Sequence, residues 1–243
     1  MRLPQKTEKN SSMVKVKKED NAPKGVETVD TALTKTEKFI EQNQKLLTTI
    51  ALVILGLAAA YMALRRFVLQ PRESDAQREM YVAQDYFAQD SFRLALEGDG
   101  NHLGFLDIID NYSFTKSARL SKYYAGLSYL HMGDFDEAIR YLKKFSTSSK
   151  MIQSMAYGAL GDAYSEKEEY ENALQYYTKA ANVSANQLTT PIYLMKAALI
   201  YETQGNNKEA LAIYERIKKE FPQSSESNTI DKYIARVKAK MEQ

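Results

Sequence analysis

Apolar residues recur along most of this chain at intervals of three and four, the period of an amphipathic helix. No stretch alternates with the period of two that would mark a strand of any length. The pattern predicts an all-helical protein with two departures from ordinary amphipathicity. Residues 1 to about 36 have few large apolar groups and cannot bury enough surface to order themselves. From Leu46 to Leu64 the polar face vanishes instead, leaving LLTTIALVILGLAAAYMAL, 19 residues without a charge. At about 1.5 Å per residue this run spans about 28 Å, close to a bilayer core of about 30 Å. It is too long, and too far along the chain, for an ordinary cleaved leader. Tyr61, Arg65 and Arg66 suit the membrane interface, and Gly56 with Ala60 offers a small face for helix docking.

Beyond the span the helical pattern continues through Met80, Ala83, Phe87, Phe92 and Leu96, then breaks at Gly98-Asp99-Gly100-Asn101. A fixed period follows. A small residue, Tyr three positions on and Ala twelve positions on recur as Gly126/Tyr129/Ala138, Gly161/Tyr164/Ala173 and Ala198/Tyr201/Ala210. The copies are 35 and then 37 residues apart, a spacing that signals stacked helix pairs. The small residues let two helices cross closely, with Ala138, Ala173 and Ala210 expected to face Gly126, Gly161 and Ala198. Gly133 and Gly205 stand where the first helix must stop. Asp134 with Glu137, and Asn206 with Glu209, read as capping boxes opening the second.

These residues, with Leu142, Tyr177 and Tyr214 on the second helices, Ala180, and Pro222 closing the third copy, resemble the tetratricopeptide repeat (TPR) family. The family's usual Trp is absent, and Lys122, Tyr157 and Leu194 stand in its place. The resemblance implies a right-handed α-superhelix of helix pairs behind a single transmembrane helix. Gly104, 34 residues before Ala138, suggests a degenerate first repeat. The resulting division is a disordered tail (1–44), a transmembrane helix (45–68), a linker helix with a degenerate first TPR (70–116), three TPRs (117–150, 151–188, 189–222) and a C-terminal capping helix (223–243).

Composition narrows the chemistry. The 243 residues contain no Cys, which excludes disulfides and thiolate metal sites. The formal charge of +2 is uneven, with ten basic against seven acidic residues up to Lys45 and 21 against 24 from Pro71 onward. A mildly acidic repeat region argues against nucleic acid as a partner. The two histidines, His102 in a turn and His131 at a helix end, have no nucleophile or paired carboxylate at a motif spacing. No phosphate loop or metal cluster is written in the chain, so it reads as a binding protein without a cofactor rather than an enzyme.

The resemblance also implies a binding face. In the TPR family the first helix of each pair lines a concave groove, here through Leu120, Tyr123, Leu127 and Leu130, then Met155, Gly158, Asp162 and Ser165, then Ile192, Met195, Leu199 and Glu202. The set predicts an apolar, Met-containing groove marked by two carboxylates, without the Lys and Asn that clamp a peptide carboxylate. Basic residues flank the span almost equally, three Lys before and four Arg after, so orientation follows the short basic tail staying inside. The whole plan resembles the YfgM-like family of bacterial TPR proteins, in its Bacteroidetes form. That resemblance implies an inner-membrane protein anchored in lipid through residues 46–64, its N-terminus cytoplasmic and its TPR domain periplasmic. Its implied role is an accessory of the Sec translocon, meeting translocon subunits, periplasmic chaperones or emerging secreted chains. A scaffold for another envelope assembly complex, or a cytoplasm-facing adaptor of reversed topology, fits the same residues.

Overall fold

The computed structural model describes residues 37–242. Most of the expected disordered tail lies outside them. Its last part, residues 37–42, is helical. Asn43 closes this turn by donating its backbone and side-chain N–H groups to the Phe39 carbonyl, at 3.1 and 2.9 Å. The chain divides into two units, Met1–Tyr61 and Met62–Gln243.

Helix α1 (Gln44–Leu64) buries none of its side chains. Its two threonines satisfy themselves within the helix, Thr48 donating to the Gln44 carbonyl and Thr49 to that of Lys45, at 2.7 and 2.8 Å. A helix with no unsatisfied polar group and no buried face is what a bilayer accepts. Within the helical run Gln44–Ala88 it supplies the one segment among the described residues long and apolar enough to cross a membrane. A π-helical turn, Arg65–Leu69, precedes α2 (Gln70–Ala88). Pro71 explains the turn, because it has no N–H to donate and its ring crowds the carbonyl four residues earlier.

The second unit continues as α3 (Phe92–Glu97), α4 (Phe105–Asn111), α5 (Lys116–His131), α6 (Phe135–Lys143), α7 (Lys150–Glu166), α8 (Tyr170–Asn182), α9 (Thr190–Thr203), α10 (Asn207–Glu220), a 3₁₀ turn (Glu226–Thr229) and α11 (Ile230–Met241). No strand occurs among the described residues. Helices α5 to α10 form three consecutive pairs, α5/α6, α7/α8 and α9/α10, and α11 packs on the last.

One joint builds every pair. The first helix ends in a left-handed residue, Gly133 (φ 79°), Glu168 (φ 60°) or Gly205 (φ 76°). The next N–H then reaches back five residues to a Tyr carbonyl: Asp134 to Tyr129, Glu169 to Tyr164 and Asn206 to Tyr201, at 2.8–2.9 Å. The left-handed residue's own N–H closes on the carbonyl three residues back, Gly133 on Leu130, Glu168 on Ser165 and Gly205 on Glu202, and this double closure is the Schellman motif. Of the two expected capping boxes, Asp134 does accept from the Glu137 N–H at 3.2 Å. Glu137 itself turns to Arg140 rather than back to Asp134. Asn206 makes no side-chain cap at all.

The helix crossings differ from expectation in one respect. The gaps at Gly126 and Gly161 are filled by Leu142 and Tyr177, sixteen residues later, and not by the alanines twelve residues on. The alanines are fully buried one turn earlier on the same second helix.

The same joint reveals an earlier copy. Asp90 (φ 56°) donates to the Phe87 carbonyl and Ser91 to that of Tyr86. Ala83, Tyr86 and Ala95 therefore repeat the small/Tyr/Ala signature, with Ala83 and Ala95 fully buried. Gly104 does not carry this register. It sits where the chain folds over the end of α3, so tightly that a methyl group would fall 2.1 Å from the Leu96 carbonyl oxygen. The inserted loop is pinned by Asp99, which accepts from the Asn101 and His102 N–H groups and from the Tyr86 hydroxyl. The His102 N–H bond and that hydroxyl, with the Asn101 bond, hold the Asp99 carboxyl down to about 2.

Two apolar clusters form the core. One gathers Met80, Ala83, Leu96, Phe105 and Ile108 under α5, and the other runs from Tyr123 to Val237 through every later pair. Leu120, Tyr124 and Tyr129 pack against both.

Candidate partner-binding cleft

An open cleft of about 730 Å³ crosses three successive pairs. Its walls come from the α5–α6 turn (Leu130, His131, Phe135), the C-terminal half of α7 (Asp162, Ser165, Glu166) and the exposed side of α9 (Lys196, Leu199, Thr203). At its floor, Asp162 accepts hydrogen bonds from the Tyr177 hydroxyl at 2.7 Å and from Lys196 Nζ at 2.5 Å. Burial, and then the negative charge of Asp162, push the Tyr177 hydroxyl far above its ordinary value. Burial, and then the same carboxylate, raise Tyr193 to about 12. Both tyrosines therefore stay neutral, as donors and packing groups.

The residues expected to line an apolar groove separate into three sets. Leu130, Asp162, Ser165 and Leu199 do meet in this cleft. Leu120, Leu127, Ile192 and Met195 are half-buried and packed against the core, while Met155 is exposed outside the cleft walls. Three positions are buried outside this cleft, Glu202 at the edge of a smaller one of about 220 Å³ that it shares with Leu199, Thr203, Arg236 and Lys240. Tyr123 packs its ring 5.3 Å from Phe145. Gly158 lies beneath the Tyr193 ring. Glu202 accepts from the Tyr214 hydroxyl at 3.1 Å, Arg236 at 2.7 Å and Lys240 at 2.8 Å. Desolvation pushes the Glu202 carboxyl up, but the bonds from Arg236, Lys240 and Tyr214 outweigh it and hold the carboxyl below its ordinary range.

The cleft is accordingly mixed in character rather than apolar, and the two carboxylates expected to mark the groove, Asp162 within this cleft and Glu202 outside it, are each paired with cations. These cations were legible as an unused regularity. Lys196 lies 34 residues after Asp162, and Arg236 lies 34 after Glu202, so the same offset joins each carboxylate to a cation of the following unit. His131 faces the cleft while its ring stacks on Phe92 at 4.6 Å and meets Phe87 edge-on at 6.0 Å. No group of three His, Cys, Asp or Glu residues able to hold a metal ion occurs among the described residues.

Tetratricopeptide-repeat family models match residues 121–148 and 193–224, and a second such model matches 156–191. No curated protein matches the chain. Among solved structures, that of MamA superposes with a TM-score of 0.51 at 19% identity, covering 69% of this chain and 92% of MamA. A crystal structure of the nearly identical TPR-like repeats of a kinesin light chain from Podosopora anserina superposes with a TM-score of 0.54 at 15% identity, covering 69% of this chain and 87% of that one. At these identities the likeness concerns the fold. Family models, helix-pair joints and structural neighbours agree, and the chain carries tetratricopeptide repeats, a protein-interaction scaffold.

Proposed function

We propose that this protein is a membrane-tethered interaction module, with α1 as anchor and the cleft between pairs receiving a segment of a partner protein. The observation that carries the tether is α1, uncharged from Leu46 to Leu64 and without one buried side chain. A core helix of that composition would be covered by its own protein. The cleft suits a segment with an apolar side chain for Leu130 and Leu199 and polar groups for His131, Glu166 and Thr203. The finer reading, supported by the resemblance in plan alone, is an accessory of the secretion machinery. The tail stays in the cytoplasm and the repeats meet chaperones or emerging chains outside.

The test is recovery of the full-length protein from membranes in mild detergent, with and without Leu199→Glu and Thr203→Arg. Both residues are exposed, so the fold should tolerate the change. Translocon subunits and an extracytoplasmic chaperone, lost on substitution while membrane anchoring persists, are the expected result. Cytosolic partners alone would overturn the orientation, and partners retained by the substituted protein would remove the cleft from the reading.

A further inference from the structure

The end of the α5/α6 pair opposite its turn is basic. Between Asn111 and Gly161 the chain has seven Lys or Arg, but its three acids, Asp134, Asp136 and Glu137, all sit at the α5–α6 turn. Lys116, Arg119, Lys144 and Lys150 at the opposite end are exposed and make no ion pair among the described residues. Lys116 and Arg119 share a cleft of about 290 Å³ with Ser146, Thr147 and Ser148, the loop that Lys144 and Lys150 bracket. Asp107 and Asp110 on α4 offset part of this charge.

The same end holds the start of α2. Glu73 accepts from the Lys116 N–H at 2.6 Å, the Ser117 N–H at 3.1 Å and the Ser117 hydroxyl at 2.8 Å. Arg72 donates to the Asn111 carbonyl at 2.7 Å. Glu73 follows the exposed apolar run Phe67, Val68, Leu69 by one helical turn, about 6 Å of rise. The first turn of α5 is thereby bonded to the stretch of chain that would leave the bilayer.

We propose that this basic end rests on anionic lipid headgroups. The inference rests on the membrane-tethered reading above. The tether brings residue 70 to the lipid surface, and Glu73 carries Lys116 and Arg119 there with it. Exposed cations within about 8–10 Å of such a surface are attracted before salt screens them. At the opposite turns Lys167 pairs with Asp136 and Glu169, but Glu166, Glu168 and Glu171 keep that end acidic and would be repelled, so the charge asymmetry selects which end faces the lipid. A soluble acidic partner could match the charge, but the bilayer is the anionic surface that tethering holds at high effective concentration.

The absence of cysteine allows a clean test on the full chain. Ser148→Cys, bearing a fluorophore, is reconstituted in nanodiscs containing a headgroup quencher, made from phosphatidylcholine alone or with phosphatidylglycerol. Lys208→Cys, near the α9–α10 turn, is the reference site. Resistance to alkaline carbonate is measured first, and extraction would sink both the tether and this inference. With the protein inserted, quenching at position 148 is expected in the anionic discs and not at position 208. It should disappear near 1 M salt, where the screening length falls to about 3 Å. The variant Lys116→Glu, Arg119→Glu, Lys144→Glu, Lys150→Glu should lose it without becoming extractable. An inserted but unquenched label, or quenching equal in both lipids and indifferent to salt, overturns the inference alone. The salt series needs no charge substitution, so it decides the matter even if the fourfold variant misfolds.

Discussion

A methyl group added at Gly158 would fall 2.0 Å from the Tyr193 ring, and one at Gly161 2.5 Å from the Tyr177 ring. At Gly126 it would meet the Leu142 side chain at 2.5 Å. A buried aromatic ring yields less than a leucine, so Gly158→Ala and Gly161→Ala should each cost about 1–3 kcal/mol by overpacking. Gly126→Ala should cost least, and urea midpoints of the three variants check this order. Glu202 links stability to pH through a buried carboxyl. Its carboxyl is buried and titrates below its ordinary value, while Arg236 and Lys240 remain about half exposed. Its folded value lies below the unfolded one. The stabilisation is therefore complete above about pH 4.3 and is lost as pH falls through the folded value. Glu202→Gln should cost about 1–2 kcal/mol at pH 7, discounted for the solvent at its partners. The difference from the unaltered protein should close as pH falls through the depressed folded value, as denaturation followed across pH would record.

Among the elements, the joint between paired helices is repeated more faithfully than the helices themselves. Glycine supplies the left-handed residue in two pairs, but Glu168 holds φ 60° in the second. That conformation costs an ordinary residue about 1–2 kcal/mol, and glycine's extra unfolded freedom returns less than this. Glu168→Gly should therefore stabilise by about 0.5–1 kcal/mol, visible as a raised thermal midpoint. Helix α11 closes the array by burying Ile230 and Val237 and setting Tyr233 5.4 Å from Tyr214. At about 1.5–3 kcal/mol per buried side chain, truncation after Ser225 should cost about 3–6 kcal/mol. Unfolding should then begin in α9 and α10, which amide exchange would locate, because repeat arrays fray from an uncapped end.

For the molecule as a whole, the membrane-tethered reading proposed above makes α1 the element that decides where the repeats can act. Leu55→Arg with Leu57→Arg should raise the insertion cost by about 5–7 kcal/mol, at about 2.5–3.5 for each central arginine. The protein should then become extractable by alkaline carbonate while its repeat unit keeps its helical signal. The beginning and end of the array were read from sequence with unequal success. The C-terminal cap announced itself through Ile230, Tyr233, Ile234 and Val237. The earlier copy at Ala83, Tyr86 and Ala95 was hidden, because the loop from Gly98 to Gly104 stretches its distance to Gly126 to 43 residues. A search anchored on a period of about 35 passes over it, although the internal offsets of three and twelve are intact.

What the amino-acid order determined by itself was local and periodic. It set the helix period, the left-handed glycines, the small residues at each crossing, and a run of 19 residues without a charge. Each of these depends on neighbours within about a turn or at the repeat distance. The character of the cleft was decided only by tertiary structure. Asp162 and Glu202 looked like free carboxylates until the fold brought Lys196, Arg236 and Lys240 to them from units one repeat later. Tyr123 looked available until Phe145 covered it. A side chain on the first helix of a pair can face a partner or the next pair, and its own sequence is the same in both cases. Burial is a property of what stacks on it.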